Sequence, residues 1–443
     1  MLKKLFSGLF WVLLLNLLVK PFWIFGIEVG VQNAVGVETY GFYFSIFNLA
    51  YIFNILLDLG ITNFNTRNIA RHPQLIGKHL SGILGIKVLL LGLYLVVTFT
   101  AGLLLGYGSL EFRMLAWLTV AQFLNSLILY LRSNFEGLLL FGWDSVLSVM
   151  DRILMIIICG FLLWGPKFSI LNSQFSIFTF VYAQVAAYSL TAIIALVVIG
   201  RKASLRRLRW NRRFFLVILK KSAPFALLVL LMASYNRLDP ILLRALHSDT
   251  EAGIYAGAFR ILDALTMVAY LVSIPLLPIF SRLTRSSANT PQSSLPDALR
   301  IVLLPMLIFS AGAALLCAFF ARPLMMLLYP TAGELYVPAF RVIIFGIIPI
   351  SLTYIFGTLL TAGGHLRQLN IFAACSLVFN IIANLMLIPH LGAVGSAWAS
   401  LTTQSLMAAA QTILAVRLYR LPASVVAPPS FKEIALFLKQ KKE

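Results

Sequence analysis

Runs of about 20 apolar residues recur from one end of the chain to the other, separated by short polar connections. An α-helix of this length crosses the hydrocarbon core of a bilayer, which is about 30 Å thick. Apolar residues make up 60% of the 443 residues and charged residues 11%, against roughly 45–50% and 25% in soluble domains. A soluble fold could not bury so much apolar surface, so the sequence predicts an integral membrane protein.

The apolar runs predict an all-α polytopic fold with twelve transmembrane helices. The first run continues past residue 30 without a small-residue cleavage site, so we interpret it as a retained span and not as a signal peptide. The predicted helices cover residues 8–31, 41–61, 81–105, 114–131, 144–164, 174–199, 223–243, 253–277, 301–321, 342–362, 370–388 and 393–416.

Lysine and arginine are distributed unequally over the predicted connections. They are roughly five times as frequent on the side that carries both termini as on the opposite side. Because cytoplasmic connections are enriched in these residues, we expect both termini in the cytoplasm. The basic residues behind the net charge of +20 then fix the orientation of the protein in the membrane and contact anionic membrane lipids. No nucleic-acid partner is predicted.

The chain has two similar halves. The stretch ETYGFYFSIFNLAYIFN at 38–54 resembles EAGIYAGAFRILDALT at 251–266, and Gly41 aligns with Gly253. Six predicted spans lie in each half, so the halves are expected to be parallel repeats related by a pseudo-two-fold axis along the membrane normal. The predicted segments are an N-terminal lobe at 1–200, a basic cytoplasmic linker at 201–222, a C-terminal lobe at 223–420 and a cytoplasmic tail at 421–443.

Charged residues occur inside the predicted spans, where each costs about 2.5–3.5 kcal/mol at the helix centre. They indicate either a polar interior or neutralising pairs, such as Arg260 with Asp263, that join neighbouring helices. Two of them precede a proline, in Lys20-Pro21 and Asp239-Pro240, at corresponding positions of the two halves. Paired interrupted helices point to a transport site. The charged residues at issue are Lys20, Glu28, Asp58, Asp151, Arg152, Arg237, Asp239, Arg260 and Asp263.

Motifs of catalysis and metal binding are absent from the sequence. The histidines do not cluster with other ligand residues, and the three cysteines lie apart within apolar runs. There is no P-loop, no G-x-S-x-G and no H-E-x-x-H. We therefore expect no enzyme activity, no metal and no cofactor.

The segments YNRLDPILLRAL at 235–246 and SDTEAGIYAGAFRILDAL at 248–265 resemble bacterial polysaccharide-transport proteins. These are the O-antigen, or lipid-linked oligosaccharide, flippases of the multidrug, oligosaccharidyl-lipid and polysaccharide exporter superfamily. VGVETYGFYFSIFNLAYIFNILLDLGITNFNTRNIAR at 35–71 is similar to the same family. The resemblance implies two six-helix lobes around a central cationic cavity. It also implies a substrate of undecaprenyl pyrophosphate carrying an oligosaccharide, flipped toward the periplasm for O-antigen, lipopolysaccharide or capsule biosynthesis.

The resemblance also suggests roles for individual residues. We expect the pyrophosphate to be held by basic side chains, the sugars to face polar ones, and acidic side chains to balance charge or bind a coupling ion. A monomer is expected, with a polysaccharide polymerase or glycosyltransferases as possible partners. The basic residues are Lys20, Arg237, Arg260 and Arg152, the polar ones Asn16, Asn236 and Tyr255, and the acidic ones Glu28, Asp58, Asp239 and Asp263.

Two other functions stay open. An ion-coupled multidrug antiporter of the same superfamily would need cavity acids without basic neighbours, whereas here Lys and Arg lie beside most of the acids. A membrane-embedded glycan polymerase would need a large external loop for catalysis. The longest external loop that the sequence predicts, 322–341, has only three charged residues.

Overall fold

The computed structural model describes residues 15–165 without residue 17, and residues 175–201, 226–285 and 294–422. Within these ranges the chain is almost entirely helical and has no β-strand. The predicted linker and tail lie outside these ranges, apart from Arg201, Leu421 and Pro422. The chain forms two compact units, Met1–Gly253 and Ile254–Glu443, and the predicted lobe boundary at the linker stays a prediction.

Short turns join several helices of the first unit. A π-helix at Phe22–Glu28 leads into α1, a 3₁₀ turn at Phe53–Leu57 follows α2, and another at Pro73–Leu75 precedes α4. The α-helices are α1 Val29–Val35, α2 Val37–Ile52, α3 Ile61–Arg71, α4 Ile76–Leu104, α5 Ser109–Gly137, α6 Phe141–Trp164, α7 Ile177–Gly200, α8 Ala226–Arg237 and α9 Asp239–Leu246.

The remaining helices begin at the end of the first unit and continue through the second. The first turn of α10 belongs to the first unit. These helices are α10 Asp249–Arg285, α11 Ser294–Phe319, α12 Ala321–Leu328, α13 Gly333–Ile343, α14 Ile347–Ala362 and α15 Leu366–Tyr419.

Nine helical segments among the described residues are long and apolar enough to cross a membrane, and the bent pair α8 and α9 adds a tenth span. The longest, α15, contains Pro389 and leaves helical geometry at Gly392, where φ is 53°. Its two parts therefore match the predicted spans 370–388 and 393–416. Each of the twelve predicted spans falls on helix over most of its described residues.

The prediction that residues 322–341 form a loop is wrong. This segment forms α12 and α13, which turn about residues 329–332. The rings of Tyr329 and Tyr336 stack 4.3 Å apart and are both buried, while Arg322 Nε pairs with Glu334 Oε1 at 2.6 Å. Hydropathy alone places this segment outside the membrane spans. The buried contact between Tyr329 and Tyr336 nevertheless packs it into two short amphipathic helices.

Proline distorts both helices for which the sequence predicts an irregularity. Pro240 has no N–H to donate and its ring crowds the preceding turn, and the chain bends by 45° between α8 and α9. After Pro21, residues Phe22–Glu28 form a π-helix, which is rare in proteins and frequent at functional sites. Arg237 and Glu28 are the last residues of these two distorted segments.

Two glycines let the first turns of α2 and α10 approach each other. A Cβ atom on Gly41 would lie 1.8 Å from the carbonyl oxygen of Asp249, and one on Gly253 would lie 2.0 Å from the carbonyl oxygen of Val37. Gly41 and Gly253 are equivalent in the sequence repeats, and so are Val37 and Asp249. We call this contact the glycine crossing. Reciprocal contacts between equivalent residues are typical of a local two-fold relation between two turns.

Replacing Gly41 with Ala should separate the two turns, because the added carbon would overlap a backbone oxygen. We expect Gly41→Ala to lower the melting temperature of the detergent-solubilised protein. Gly92→Ala in α4 is the matched control, since its Cβ would meet nothing within 4 Å and alanine favours a helix by about 0.5–1 kcal/mol. Equal melting temperatures for the two variants would contradict the crossing.

A buried ion pair fixes the connection between α2 and α3, where Leu59 and Gly60 both have positive φ angles of 45° and 82°. Lys87 Nζ donates to the carbonyl oxygens of Leu57 at 3.0 Å and Ser126 at 3.2 Å, and to the Ser126 hydroxyl at 2.7 Å. It also pairs with Asp58 Oδ1 at 3.2 Å. The ammonium thus satisfies backbone carbonyls and neutralises a carboxylate at one point.

Asp58 also holds the start of α3. Its carboxylate accepts hydrogen bonds from the backbone N–H of Thr62 at 3.2 Å and from the Thr62 hydroxyl. The Lys87 side chain is 1% exposed and that of Asp58 23% exposed. These contacts give both charges a structural role.

Replacing Lys87 with Met should destabilise the first unit, because Asp58 loses its counter-ion. Removing one partner of a fully buried pair costs about 3–5 kcal/mol, and the partial exposure of Asp58 reduces that cost. We expect less monodisperse protein after heating, measured by size-exclusion chromatography. Arg322→Met is the control, since its pair with Glu334 is 71% and 54% exposed. The same loss in both variants would argue against a buried pair at Lys87.

Candidate functional site

Charged and aromatic side chains from five helical segments of the first unit come together inside it. Arg152 Nη1 pairs with Asp151 Oδ2 at 3.1 Å on α6. The charge of Arg152 also interacts with Glu28 of the π-helix, Tyr51 of α2 and Tyr188 of α7. The guanidinium carbon of Arg237, at the end of α8, lies 5.1 Å from the centre of the Tyr51 ring. We call these six residues the arginine cluster.

The helix distortions place two members of the cluster. Glu28 ends the π-helix that follows Pro21, so its side chain leaves the helix in a different direction from that in a regular α-helix. Arg237 ends α8 just before the bend that Pro240 causes. The interruptions predicted from the sequence therefore occur at the cluster.

The two basic groups are more accessible than the acid beside them. The Arg152 side chain is 34% exposed, whereas that of Asp151 is 8% exposed. Tyr51 is 37% exposed, and its ring faces Arg237 in a cation–π contact, which favours a fixed guanidinium position. Tyr188 accepts a hydrogen bond from Gln184 Nε2 at 3.2 Å. Each guanidinium group can bind an anion, and Asp151 neutralises part of the charge of Arg152.

Other predicted residues of the first unit lie near the same helices. Asn16 Nδ2 donates to the Ser148 hydroxyl at 3.1 Å, on the helix that carries Arg152. Asn236 Nδ2 donates to the carbonyl oxygen of Met232 at 2.8 Å, within its own helix. Lys20 is half-buried in the helical segment before the π-helix, and Asp239 is fully buried at the first residue of α9.

Three predicted site residues belong to the second unit, on α10. Arg260 and Tyr255 are buried, at 6% and 2% exposure, and the Tyr255 ring stacks on Phe259 at 6.1 Å. Asp263 is half-buried, and its carbonyl oxygen accepts from the Thr266 hydroxyl at 2.8 Å. A cavity that Arg260 shares with Lys20 and Arg237 stays a prediction.

The sequence-based site omitted Tyr51, Tyr188 and Gln184. A sequence signal existed for two of them, because Gln184 and Tyr188 are polar residues four apart in an apolar run and so share a helix face. Tyr51 carries no such signal. Only its contact with Arg237, from a distant part of the chain, distinguishes it from the other tyrosines of α2.

Residues 5–284 match the family model described as "Polysaccharide biosynthesis protein". The chain belongs to this family. An uncharacterised membrane protein of Methanocaldococcus jannaschii is 27% identical over 190 residues, and the match covers 43% of this chain and 43% of that relative. The family membership confirms the resemblance drawn from the segments around Gly41 and Asp239.

The fold is similar to those of solved transporters. The lipid II flippase MurJ in an inward closed conformation matches with a TM-score of 0.73 at 12% identity, over 98% of this chain and 92% of that one. An inward-facing multidrug resistance MATE family transporter of the MOP superfamily matches at 0.70 and 13% identity, over 90% and 94%. A MOP superfamily transporter from Pyrococcus furiosus matches at 0.58 and 13% identity, over 96% and 95%. The predicted fold class, an all-α polytopic membrane protein, is confirmed.

Proposed function

We propose that this protein is a flippase for oligosaccharides linked to undecaprenyl pyrophosphate. It would move them from the cytoplasmic to the periplasmic leaflet of a bacterial inner membrane, for O-antigen, lipopolysaccharide or capsule biosynthesis. The observation that carries the proposal is the arginine cluster, in which Arg152 and Arg237 both interact with Tyr51 among membrane helices of a polysaccharide biosynthesis protein. The structural likeness to lipid II flippase MurJ supports the same class of substrate.

The main barrier to flipping is the charged headgroup. A pyrophosphate cannot cross about 30 Å of hydrocarbon unaided. Arginine binds phosphate oxygens through two parallel N–H groups, so Arg152 and Arg237 are suited to replace the water that the headgroup loses. Asp151 and Glu28 would balance these charges while the site is empty. Lys20 and Arg260 are the further cations that we expect to contact the pyrophosphate.

The transport step needs binding and movement, with no covalent bond made or broken. The polyprenyl tail would stay in the bilayer while the headgroup passes through the protein. Asn16, Asn236 and Tyr255 are proposed to face the sugars, and Asp239 and Asp263 to balance charge or bind a coupling ion, whereas Asp58 is taken up by its structural pair with Lys87. Alternate opening to the two sides would complete the cycle, with the protein acting as a monomer beside a polysaccharide polymerase or glycosyltransferases.

Replacing either arginine of the cluster should impair transport without affecting membrane insertion. A hydrogen bond to a charged group contributes about 1.5–3 kcal/mol, so we expect Arg152→Ala and Arg237→Ala to slow glycan display roughly tenfold or more. The measurement is surface glycan in a flippase-null strain that expresses each variant at matched membrane levels.

Arg113→Ala is the matched control, because Arg113 stacks on Phe178 at 4.3 Å, away from the cluster. Arg237→Lys should recover only part of the activity, since lysine keeps the charge and loses the two-pronged geometry. Normal glycan display in both alanine variants would contradict the proposed site.

A second candidate function is an ion-coupled multidrug antiporter. The acids of the cluster do not meet its requirement for acids without basic neighbours, because Asp151 pairs with Arg152 and Glu28 interacts with the same charge. The likeness to multidrug MATE transporters is compatible with it. Drug susceptibility of the same strains decides between the two, because an antiporter would raise drug resistance and leave glycan display unchanged.

A further inference from the structure

Arg244 connects four segments of the first unit through its guanidinium group. Its Nη2 pairs with Glu111 Oε1 at 2.8 Å, and its Nε pairs with Asp249 Oδ1 at 2.7 Å. Its guanidinium carbon also lies 4.8 Å from the ring centre of Phe42 and 5.2 Å from that of Tyr107. One side chain of α9 thus contacts α2, the turn before α5, the start of α5 and the start of α10.

The partners of Arg244 are themselves fixed at helix ends. Glu111 Oε2 accepts from the backbone N–H of Gly108 at 3.1 Å, which caps α5. Asp249 is the first residue of α10, where a carboxylate is stabilised by the helix dipole. If Arg244 moved, the starts of α5 and α10 would therefore move with it.

The glycine crossing lies beside this ion-pair network. Asp249 takes part in both, and Phe42 follows Gly41 directly. Gln32 Nε2 adds a hydrogen bond to the carbonyl oxygen of Gly253 at 3.0 Å. One turn further along α2, Ser45 has 0% exposure. These closely packed helix starts lie on the side that the lysine and arginine distribution assigns to the periplasm.

We propose that Arg244 holds a periplasmic gate closed. This inference rests on the proposed function, because a flippase that works by alternating access must open on this side to release its substrate. The side-chain exposures of Arg244, Glu111 and Asp249 are 15%, 22% and 27%. Partly exposed pairs are weaker than fully buried ones, so these contacts can break and form again in each cycle.

The test uses a cysteine below the gate as a reporter of opening. Ser45→Cys is introduced after the native Cys159, Cys317 and Cys375 are replaced by serine. A membrane-impermeant maleimide is then added to intact cells or to inverted vesicles. We expect slow labelling from the periplasmic side with Arg244 present, and labelling roughly tenfold faster with Arg244→Gln, because the open state gains population.

Control variants separate the gate from a general loosening of the fold. Glu111→Gln combined with Asp249→Asn should accelerate labelling in the same direction, and Arg244→Lys should do so less. Arg322→Gln removes an exposed ion pair elsewhere and should leave the rate unchanged. Unchanged labelling in Arg244→Gln, or faster labelling only from the cytoplasmic side, would overturn the gate.

A second measurement replaces the ion pair by a reversible covalent link. Glu111→Cys and Arg244→Cys are combined and joined by a short cross-linker that forms a disulfide with each thiol. We expect the cross-link to stop glycan display and its reductive cleavage to restore it, and full display by the cross-linked protein would overturn the gate. Labelling of the Ser45→Cys reporter needs no lipid-linked glycan. The labelling rate therefore tests the gate, whereas glycan display tests the proposed substrate, and either proposal can fail without the other.

Discussion

A charged side chain in hydrocarbon is costly, and this cost determines how the polar residues of the protein are arranged. Each such group costs about 2.5–3.5 kcal/mol at the centre of a span, and the first unit meets the cost in three ways. Lys87 and Asp58 neutralise each other and fix a turn. Arg244 joins helix ends through two carboxylates. Arg152 and Arg237 combine acidic and aromatic contacts with partial exposure.

These three arrangements suit different tasks. The ammonium of Lys87 is enclosed by oxygen atoms and has no capacity left for a ligand. The guanidinium groups of the arginine cluster keep exposed surface, which anion binding requires. Arg244 lies between these extremes. Its two ion pairs hold helix ends together, and their partial exposure to solvent allows them to break. Exposure therefore distinguishes Lys87 from the arginines of the cluster.

The sequence predicts features that depend on local chemistry. Hydropathy located the twelve spans, and Pro21 and Pro240 located the distorted helices, because a missing N–H acts where the proline stands. The alignment of Gly41 with Gly253 predicted a repeat, but not that the two turns touch. Hydropathy failed at 322–341, where contacts between Tyr329 and Tyr336 order two short helices. The roles of Tyr51 and Arg244 depend on partners far along the chain, which no local pattern shows.

The proposed function requires that water reaches the arginine cluster and that the cluster binds the anionic headgroup of a lipid. The most direct measurement is protection of Tyr51→Cys, in a variant without the native cysteines, from a water-soluble thiol reagent in nanodiscs. We expect the thiol to be modified, and we expect undecaprenyl pyrophosphate-linked glycan, but not a neutral polyprenol, to slow the modification. An unreactive thiol, or equal protection by both lipids, would contradict it.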